Sequence, residues 1–300
     1  MGMDLEQASR KDTIDQVRVL AEEALRERLR TLTGDSLDRA GRLARLEDAF
    51  VPTVSTDARR LAVLDVREGD GGELEQPPDS TLSPRFHSAR SSCALAVNAF
   101  GLWRCEPGPL VVEGVSGFEE VRFERKFPIE RADPRYPPNV DVYATAPNGG
   151  VAIESKLLEY IAVAEPASFA PKYDFAIEAH AHASWREQID RLRKSPNEFS
   201  FFGAAQIVKH YLGLKSAGVP GGHLIYLYWE PLDHAQHRLF AQHRDEVESF
   251  AAGLADPSIS FRGLAYATLF AEWERLERPE LTEHVRALRE RYDVSLFEDA

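Results

Sequence analysis

Asn139-Val140-Asp141-Val142-Tyr143, then Pro147-Asn148-Gly149-Gly150, then Val151-Ala152-Ile153-Glu154-Ser155-Lys156-Leu157 is the stretch that decides how this chain folds. The two outer runs alternate in the way of strands, whose side chains point to opposite faces at successive positions. Asn-Gly between alternating runs is the strongest short-range hairpin signal, so the runs are expected to pair antiparallel. In the second run Val151, Ile153 and Ser155 share one face, and Ala152, Glu154 and Lys156 the other. In the first, Val140 and Val142 point one way while Asn139, Asp141 and Tyr143 point the other. Folding about Asn148 sets Asp141 across from the stretch Glu154 to Lys156. Cross-strand neighbours hold their Cβ atoms about 4.5–5.5 Å apart, so two carboxylates and an ammonium converge while the valines and Ile153 face the core.

Carboxylates that close repel and tend to push a proton onto one of the pair. A hard divalent cation removes that conflict, because magnesium prefers oxygen ligands and shares them with water and substrate phosphate. Such an ion polarises a phosphoryl oxygen and lowers the pKa of a bound water. An ammonium on the same face can orient that water or neutralise charge building on the phosphate. The expected chemistry is metal-assisted hydrolysis of a phosphodiester. A plain surface hairpin with the same residues would make only an exposed ion pair of small value, and spacing by itself does not separate the two.

Outward from the hairpin, Val121 to Phe127 reads as a further strand, with Val121, Phe123 and Phe127 on one face and Arg122, Glu124 and Lys126 on the other. Upstream, Ser91-Ser92 before an apolar run to Phe100, with Gly101 after it, is an N-cap, a helix and a glycine stop. Downstream come helices around Ser184 to Arg193 and Phe201 to Leu214, and an apolar strand, His223 to Trp229, in which Tyr226, Tyr228 and Trp229 belong to the core. Helices are expected near His234 to Leu254 and Thr268 to Arg291, the second interrupted at Pro279, with a short strand from Ile259 to Tyr266 between them. His234, His237 and His243 are expected on a surface-facing helix. At the N-terminal end, Ile14, Val17, Leu20, Ala21, Ala24 and Leu25 recur at helical spacing. Gly34-Asp35-Ser36 divides Thr13 to Leu46 into two helices, with Asp35 or Ser36 capping the second. Glu68 to Pro84, rich in Gly, Pro, Asp and Glu, reads as a flexible connector. The expected division is therefore a helical arm or small subdomain over residues 1–67, a flexible connector over 68–84 and an α/β domain with helical additions over 85–300.

The 300 residues are 43% hydrophobic, enough for a sizeable core, and no apolar run reaches the roughly 18 residues of a membrane span. The polar N-terminus lacks the apolar core of a secretion signal. Two cysteines, Cys93 and Cys105, make neither a disulfide framework nor a zinc site, and a reducing cytoplasm is the expected home. The Ser88, Ser91 and Ser92 cluster lacks the matched His and Asp of a serine nucleophile. A net charge of −13 opposes bulk attraction to nucleic acid. It is unevenly spread: residues 217–300 carry 8 Lys+Arg against 15 Asp+Glu, whereas residues 180–216 carry 6 against 3.

Pro138-Asn139-Val140-Asp141, followed after twelve residues by Glu154-Ser155-Lys156, resembles the PD-(D/E)XK nuclease superfamily, whose signature is an aspartate on one strand and Glu-x-Lys on the next. Ser91 to Asn98, Phe123 to Lys126, Ile153 to Tyr160 and Gln206 to His210 look like the surroundings of that motif in a branch of restriction-endonuclease-like proteins, over roughly residues 85–270. The resemblance implies a mixed α/β sheet flanked by helices, with an N-terminal helical arm. It implies that Asp141 and Glu154 hold Mg²⁺ or Mn²⁺ with the backbone carbonyl of Ser155, and that Lys156 positions the attacking water. Glu124 is the candidate for an added upstream carboxylate, with Glu113 and Glu120 as rivals. Some related nucleases carry Gln-x-x-x-Tyr on a later helix; this chain has Gln206 and then His210, which could touch a phosphate or base or simply face solvent. Glu159 could face the cleft or cap the strand end. The implied activity is cleavage of DNA, with a homodimer, or a partner protein bound through the arm, as further expectations. A nuclease-fold protein that binds nucleic acid or a protein without cutting is the alternative.

Overall fold

Helix α1 (Gly2–Thr33) opens the computed structural model, which describes residues 2–34, 37–69, 71–135, 137–147 and 149–297, with side chains from Thr13 onward. Ile14, Val17, Ala21, Leu25 and Leu29 form its buried stripe, the i, i+3, i+4 pattern of an amphipathic helix. No second helix follows before residue 46 among the described residues. Instead the Asp38 carboxylate accepts from the backbone N–H of Ala40 and Arg42, and Asp38 N–H closes a turn on the Arg42 carbonyl. A side chain that offers the backbone such partners competes with the helix, and Gly41 at φ +73° completes the turn. The expected caps Asp35 and Ser36 lie outside the described residues.

Helix α2 (Thr56–Glu68) lies within the stretch expected only as arm. Ser55 caps it through Ala58 N–H. Its Asp65 is buried and paired with Arg104 at 2.6 Å and, on the first strand, Arg122 at 3.0 Å. Helix α3 (Ser92–Phe100) forms as expected, with the Ser91 side chain accepting from Ala94 N–H.

The sheet has five strands in spatial order β1 (Glu120–Lys126), β2 (Asn139–Ala146), β3 (Gly149–Lys156), β4 (Gly222–Tyr228) and β5 (Ile259–Ala265). The first three are antiparallel neighbours; β3, β4 and β5 run parallel. Parallel strands need long crossovers. α4 (Asp174–His180), α5 (Ala183–Lys194) and α6 (Ala204–Ser216) join β3 to β4, and α7 (Arg238–Ala252) joins β4 to β5. α8 (Tyr266–Glu274) and α9 (Pro279–Tyr292) follow, parted before Pro279 as expected. α4 was not foreseen. The result is the mixed sheet flanked by helices that the order of elements predicts. Among the described residues no helix is long and apolar enough to cross a membrane.

The hairpin differs from its expected form in one detail. Ala146 pairs with Gly149 and Thr145 with Gly150, so both glycines belong to β3; Asn148 lies outside the described residues. The glycines are needed for close approach instead. A Cβ on Gly149 would stand 2.4 Å from the Gly221 carbonyl oxygen, and one on Gly150 2.8 Å from that of Ala144.

One apolar cluster runs from Ile14 to Leu296. Asn98, fully buried on α3, accepts from Val51 N–H at 2.8 Å and donates to the Ala49 carbonyl and to Tyr292 Oη at 2.9 Å. That one amide ties the segment before α2 and the end of α9 to α3. His243 is not a surface residue: it is fully buried, stacked on Tyr160 at 4.1 Å, with Nε2 3.1 Å from Tyr226 Oη. Tyr226, Tyr228 and Trp229 are core residues, as expected.

Candidate nuclease site

β3 is buried on both faces. Ser155 turns toward α3 and α8, its hydroxyl 2.7 Å from Tyr266 Oη and 3.4 Å from the Ser92 carbonyl. Glu154, on the opposite face, meets α6. The hairpin ladder ends on the pair Val142 with Ile153, and one residue further on Asp141 draws level with Glu154. Here the carboxylate replaces the ladder: Asp141 Oδ2 accepts from Ser155 N–H at 2.6 Å. On its other side Asp141 stands opposite Glu124, bracketed by the pairs Phe123–Val142 and Arg125–Val140. Glu124 adopts φ +50°, a left-handed conformation that costs a non-glycine residue of order 1 kcal/mol or more and clusters at functional sites.

Asp141, Glu124, Glu154, Ser155, Lys156, Gln206 and His210, the seven residues singled out in the sequence, all line one cavity of about 600 Å³, together with Ser92, Asn139 and Lys209. The rivals to Glu124 lie elsewhere. Glu113 pairs with Arg262 at 2.8 Å, and Glu120, at the far end of β1, pairs with Arg122. Lys156, Gln206 and Lys209 also line an adjoining cavity of about 640 Å³ with Val163, Pro166 and Phe201 in its wall. Lys209 and Ser92 escaped sequence reasoning. Both lie in stretches that resemble the family's surroundings, but Lys209 gains no role there, and Ser92 reads as a helix start and is set aside as a nucleophile.

Gln206 is exposed and His210 buried, yet both reach Glu154. Gln206 Nε2 donates to Glu154 Oε1 at 2.6 Å, and His210, 2% exposed, puts Nε2 2.8 Å from Glu154 Oε2. The histidine contact lies within ion-pair range without hydrogen-bond alignment, so Glu154 Oε2 and both His210 nitrogens lack a hydrogen-bond partner. Lys156 Nζ bonds Glu154 Oε1. Glu159 caps the strand end, accepting from Leu157 and Leu158 N–H at 2.8 and 3.0 Å.

The electrostatics divide the carboxylates. Burial pushes Glu154 up, but Lys156 and His210 outweigh it and hold the group down at about 2. Asp141 is pushed well above the usual carboxylate range by burial, by Glu154 and by Glu124. Glu124 is raised by burial and by Glu154, against hydrogen bonds from Cys93 and Asn139. Lys156 stays charged: burial lowers it, but Glu154, Glu159 and Asp141 together raise it further.

Whether these residues suit a divalent ion turns on the donors left over. Among the described residues no three His, Cys, Asp or Glu side chains form a ready metal cluster. The oxygen donors of the cleft are nonetheless of the right kind for a hard cation. Asn139 Oδ1 is buried without a hydrogen-bond partner, a costly state for a polar atom, and Glu154 Oε2 has only the poorly aligned His210 contact. Crowded carboxylates with a raised Asp141 are what a bound cation would relieve. The site fits such an ion.

A family model described as restriction endonuclease associating with ARP matches residues 43–293. Neither the comparison with curated proteins nor that with solved structures finds a match. The matched span takes in the whole sheet and every residue of the cleft, and the chain belongs to this restriction-endonuclease family.

Proposed function

We propose that the chain is a metal-dependent nuclease that hydrolyses DNA phosphodiester bonds, of the PD-(D/E)XK type. The observation that carries this reading is the convergence of Asp141, Glu154 and Lys156 in one cleft, with Glu124 behind them. Asp141, Glu154 and the Ser155 carbonyl would hold Mg²⁺ or Mn²⁺. Bound there, the ion supplies a Lewis acid for the phosphoryl oxygen and a water of lowered pKa.

The chain's own residues supply the rest. Lys156, kept charged by its three carboxylate neighbours, neutralises charge growing on the phosphate and orients the water. Gln206 and His210 position Glu154 from α6. Ser155 N–H holds Asp141 in register with β3. Association with a partner protein, the ARP of the family's description, belongs to the same reading.

Calorimetric titration with Mn²⁺ tests the metal half. Wild type binds one ion per cleft, and Asp141→Asn and Glu154→Gln each weaken binding at least tenfold. Equal binding by all three proteins would sink the assignment.

A further inference from the structure

A second polar pocket meets the cleft at Ser92, the first residue of α3. It has a volume of about 200 Å³ and is lined by four arginines, Arg18, Arg42, Arg85 and Arg90, and by Ser91 and Ser92. The arginines come from three separate stretches: α1, the turn after it, and the loop leading into α3. In a chain of net charge −13, four guanidinium groups meeting at one small concavity are not a random surface.

Main-chain carbonyls anchor two of them without consuming their donors. Arg42 Nη1 donates to the Ser83 carbonyl at 2.5 Å and Arg85 Nη2 to that of Gly71 at 2.6 Å, each using one of five N–H groups. Arg18 and Arg90 share Glu22, at 3.5 and 2.7 Å, and remain 41% exposed. Two carboxylates, Glu73 and Glu159, also line the pocket. Glu159 is engaged with two backbone N–H groups, and Glu73 pairs with Arg85 at 3.3 Å. With Glu22, four guanidinium groups meet three carboxylates, and of these Glu159 is already held by backbone N–H groups.

The chemistry is that of phosphate recognition. Guanidinium forks match phosphate oxygens in pairs, and a pocket below the roughly 300 Å³ of ordinary ligand sites seats one small anion and no base. Its position supplies the link to the cleft: Ser92 lines both cavities. We infer that this arginine pocket binds a phosphate of the nucleic-acid strand whose neighbouring phosphodiester lies in the Asp141–Glu154 cleft. The inference rests on the nuclease reading for its ligand. It gives α1, through Arg18, a direct part in substrate binding. The phosphate could be internal to the strand or terminal, and the two are separable.

The test measures anisotropy of labelled single-stranded and duplex oligonucleotides, with 5′-phosphate or 5′-hydroxyl ends, in EDTA, so that no cutting intervenes. Wild type is compared with Arg18→Gln/Arg90→Gln, and with Arg85→Gln should the double variant fold poorly. Binding at 0.1 M salt is expected to weaken at least tenfold. The slope of log K against log salt should fall by about 0.7 for each phosphate that a single strand no longer has neutralised, or about 0.9 for duplex. A 5′-phosphate preference present in wild type and abolished in the variant marks a terminal site; equal weakening for both ends marks an internal one. Unchanged affinity and slope in both variants, or no oligonucleotide binding by wild type, would overturn the inference. Cleavage with Mg²⁺, run in parallel, separates the two ideas. A wild type that binds through the arginines yet cuts nothing removes the nuclease reading alone. One that cuts while the variants bind normally removes the pocket alone.

Discussion

His210 Nε2 on α6 stands 2.8 Å from Glu154 Oε2 on β3, with both side chains buried. The helix is thereby tied to the strand at the centre of the cleft, and Gln206, one turn earlier, bonds the other carboxylate oxygen. Partners that orient a ligand typically matter 10–100-fold in metal affinity or activity. His210→Ala is expected to lose activity in that range while keeping a cooperative thermal transition. His210→Tyr, which creates the Gln-x-x-x-Tyr spacing of related nucleases, should retain more than His210→Ala. Full activity in His210→Ala would show that Glu154 needs no help from α6.

Asn98 satisfies three groups at once: Val51 N–H, the Ala49 carbonyl and Tyr292 Oη. Asn98→Ala leaves buried backbone groups unpaired at roughly 1–3 kcal/mol each. Denaturant unfolding is expected to show a loss of about 2–4 kcal/mol, with the cleft residues untouched. A loss under about 0.5 kcal/mol would contradict a role for this amide in docking the N-terminal segment.

Asp65 holds α2 to β1 through Arg104, which is 10% exposed, and through Arg122. Removing one partner of a buried pair costs roughly 3–5 kcal/mol, because the other charge stays buried alone. Asp65→Ala should fall in that range by urea unfolding. Asp65→Ala/Arg104→Met should recover part of the loss. Failure of the double variant to recover any would mean that the pair is not the origin of the cost.

His284 sits fully buried on α9, with Nδ1 2.6 Å from Thr53 Oγ1 and Nε2 3.0 Å from the Ala99 carbonyl. Burial pulls it from 6.5 down to about 4, against the Ala99 bond. Between those values the unfolded chain binds more protons than the folded one, so stability rises with pH across this window. The contribution is complete above about pH 6.5 and is lost as pH falls toward 4, worth roughly 3 kcal/mol. His243, held down at about 3 by burial and by Arg244, acts in the same direction. Thermal unfolding from pH 7 to pH 4 should show a steady fall, shallower in His284→Asn. An equal slope in that variant would assign the acid sensitivity elsewhere.

The hairpin and the meeting of Asp141, Glu154 and Lys156 were legible because a strand's period of two gives each residue a face. α3 was legible because Ser91 and Gly101 bracket an apolar run. α2 was missed although Ser55, Ala58, Ala62 and Val66 carry a helix start and stripe. Asp65 on that stripe breaks its apolar pattern, and only Arg104 and Arg122, distant in sequence, explain why a carboxylate is buried there. The unrealised helix after Gly34 failed for a local reason, the Asp38 turn. The approach of His210 to Glu154 depends on how α6 docks across β3, which no periodicity within either segment contains. His243 was misjudged for the same reason: its burial among Tyr160, Tyr226 and Tyr228 is a tertiary event.

The central claim, that Asp141, Glu154 and Lys156 form a phosphodiesterase site, is tested most directly by cleavage of DNA and RNA substrates with Mg²⁺ or Mn²⁺. Wild type is to be compared with Asp141→Ala and Lys156→Ala, each shown to be folded. The expected result is metal-dependent cutting of DNA by wild type, reduced by a factor of at least about 10³ in both variants, near 4 kcal/mol of transition-state stabilisation. Cutting that survives both substitutions, or a folded wild type that cuts neither nucleic acid with either metal, would contradict it.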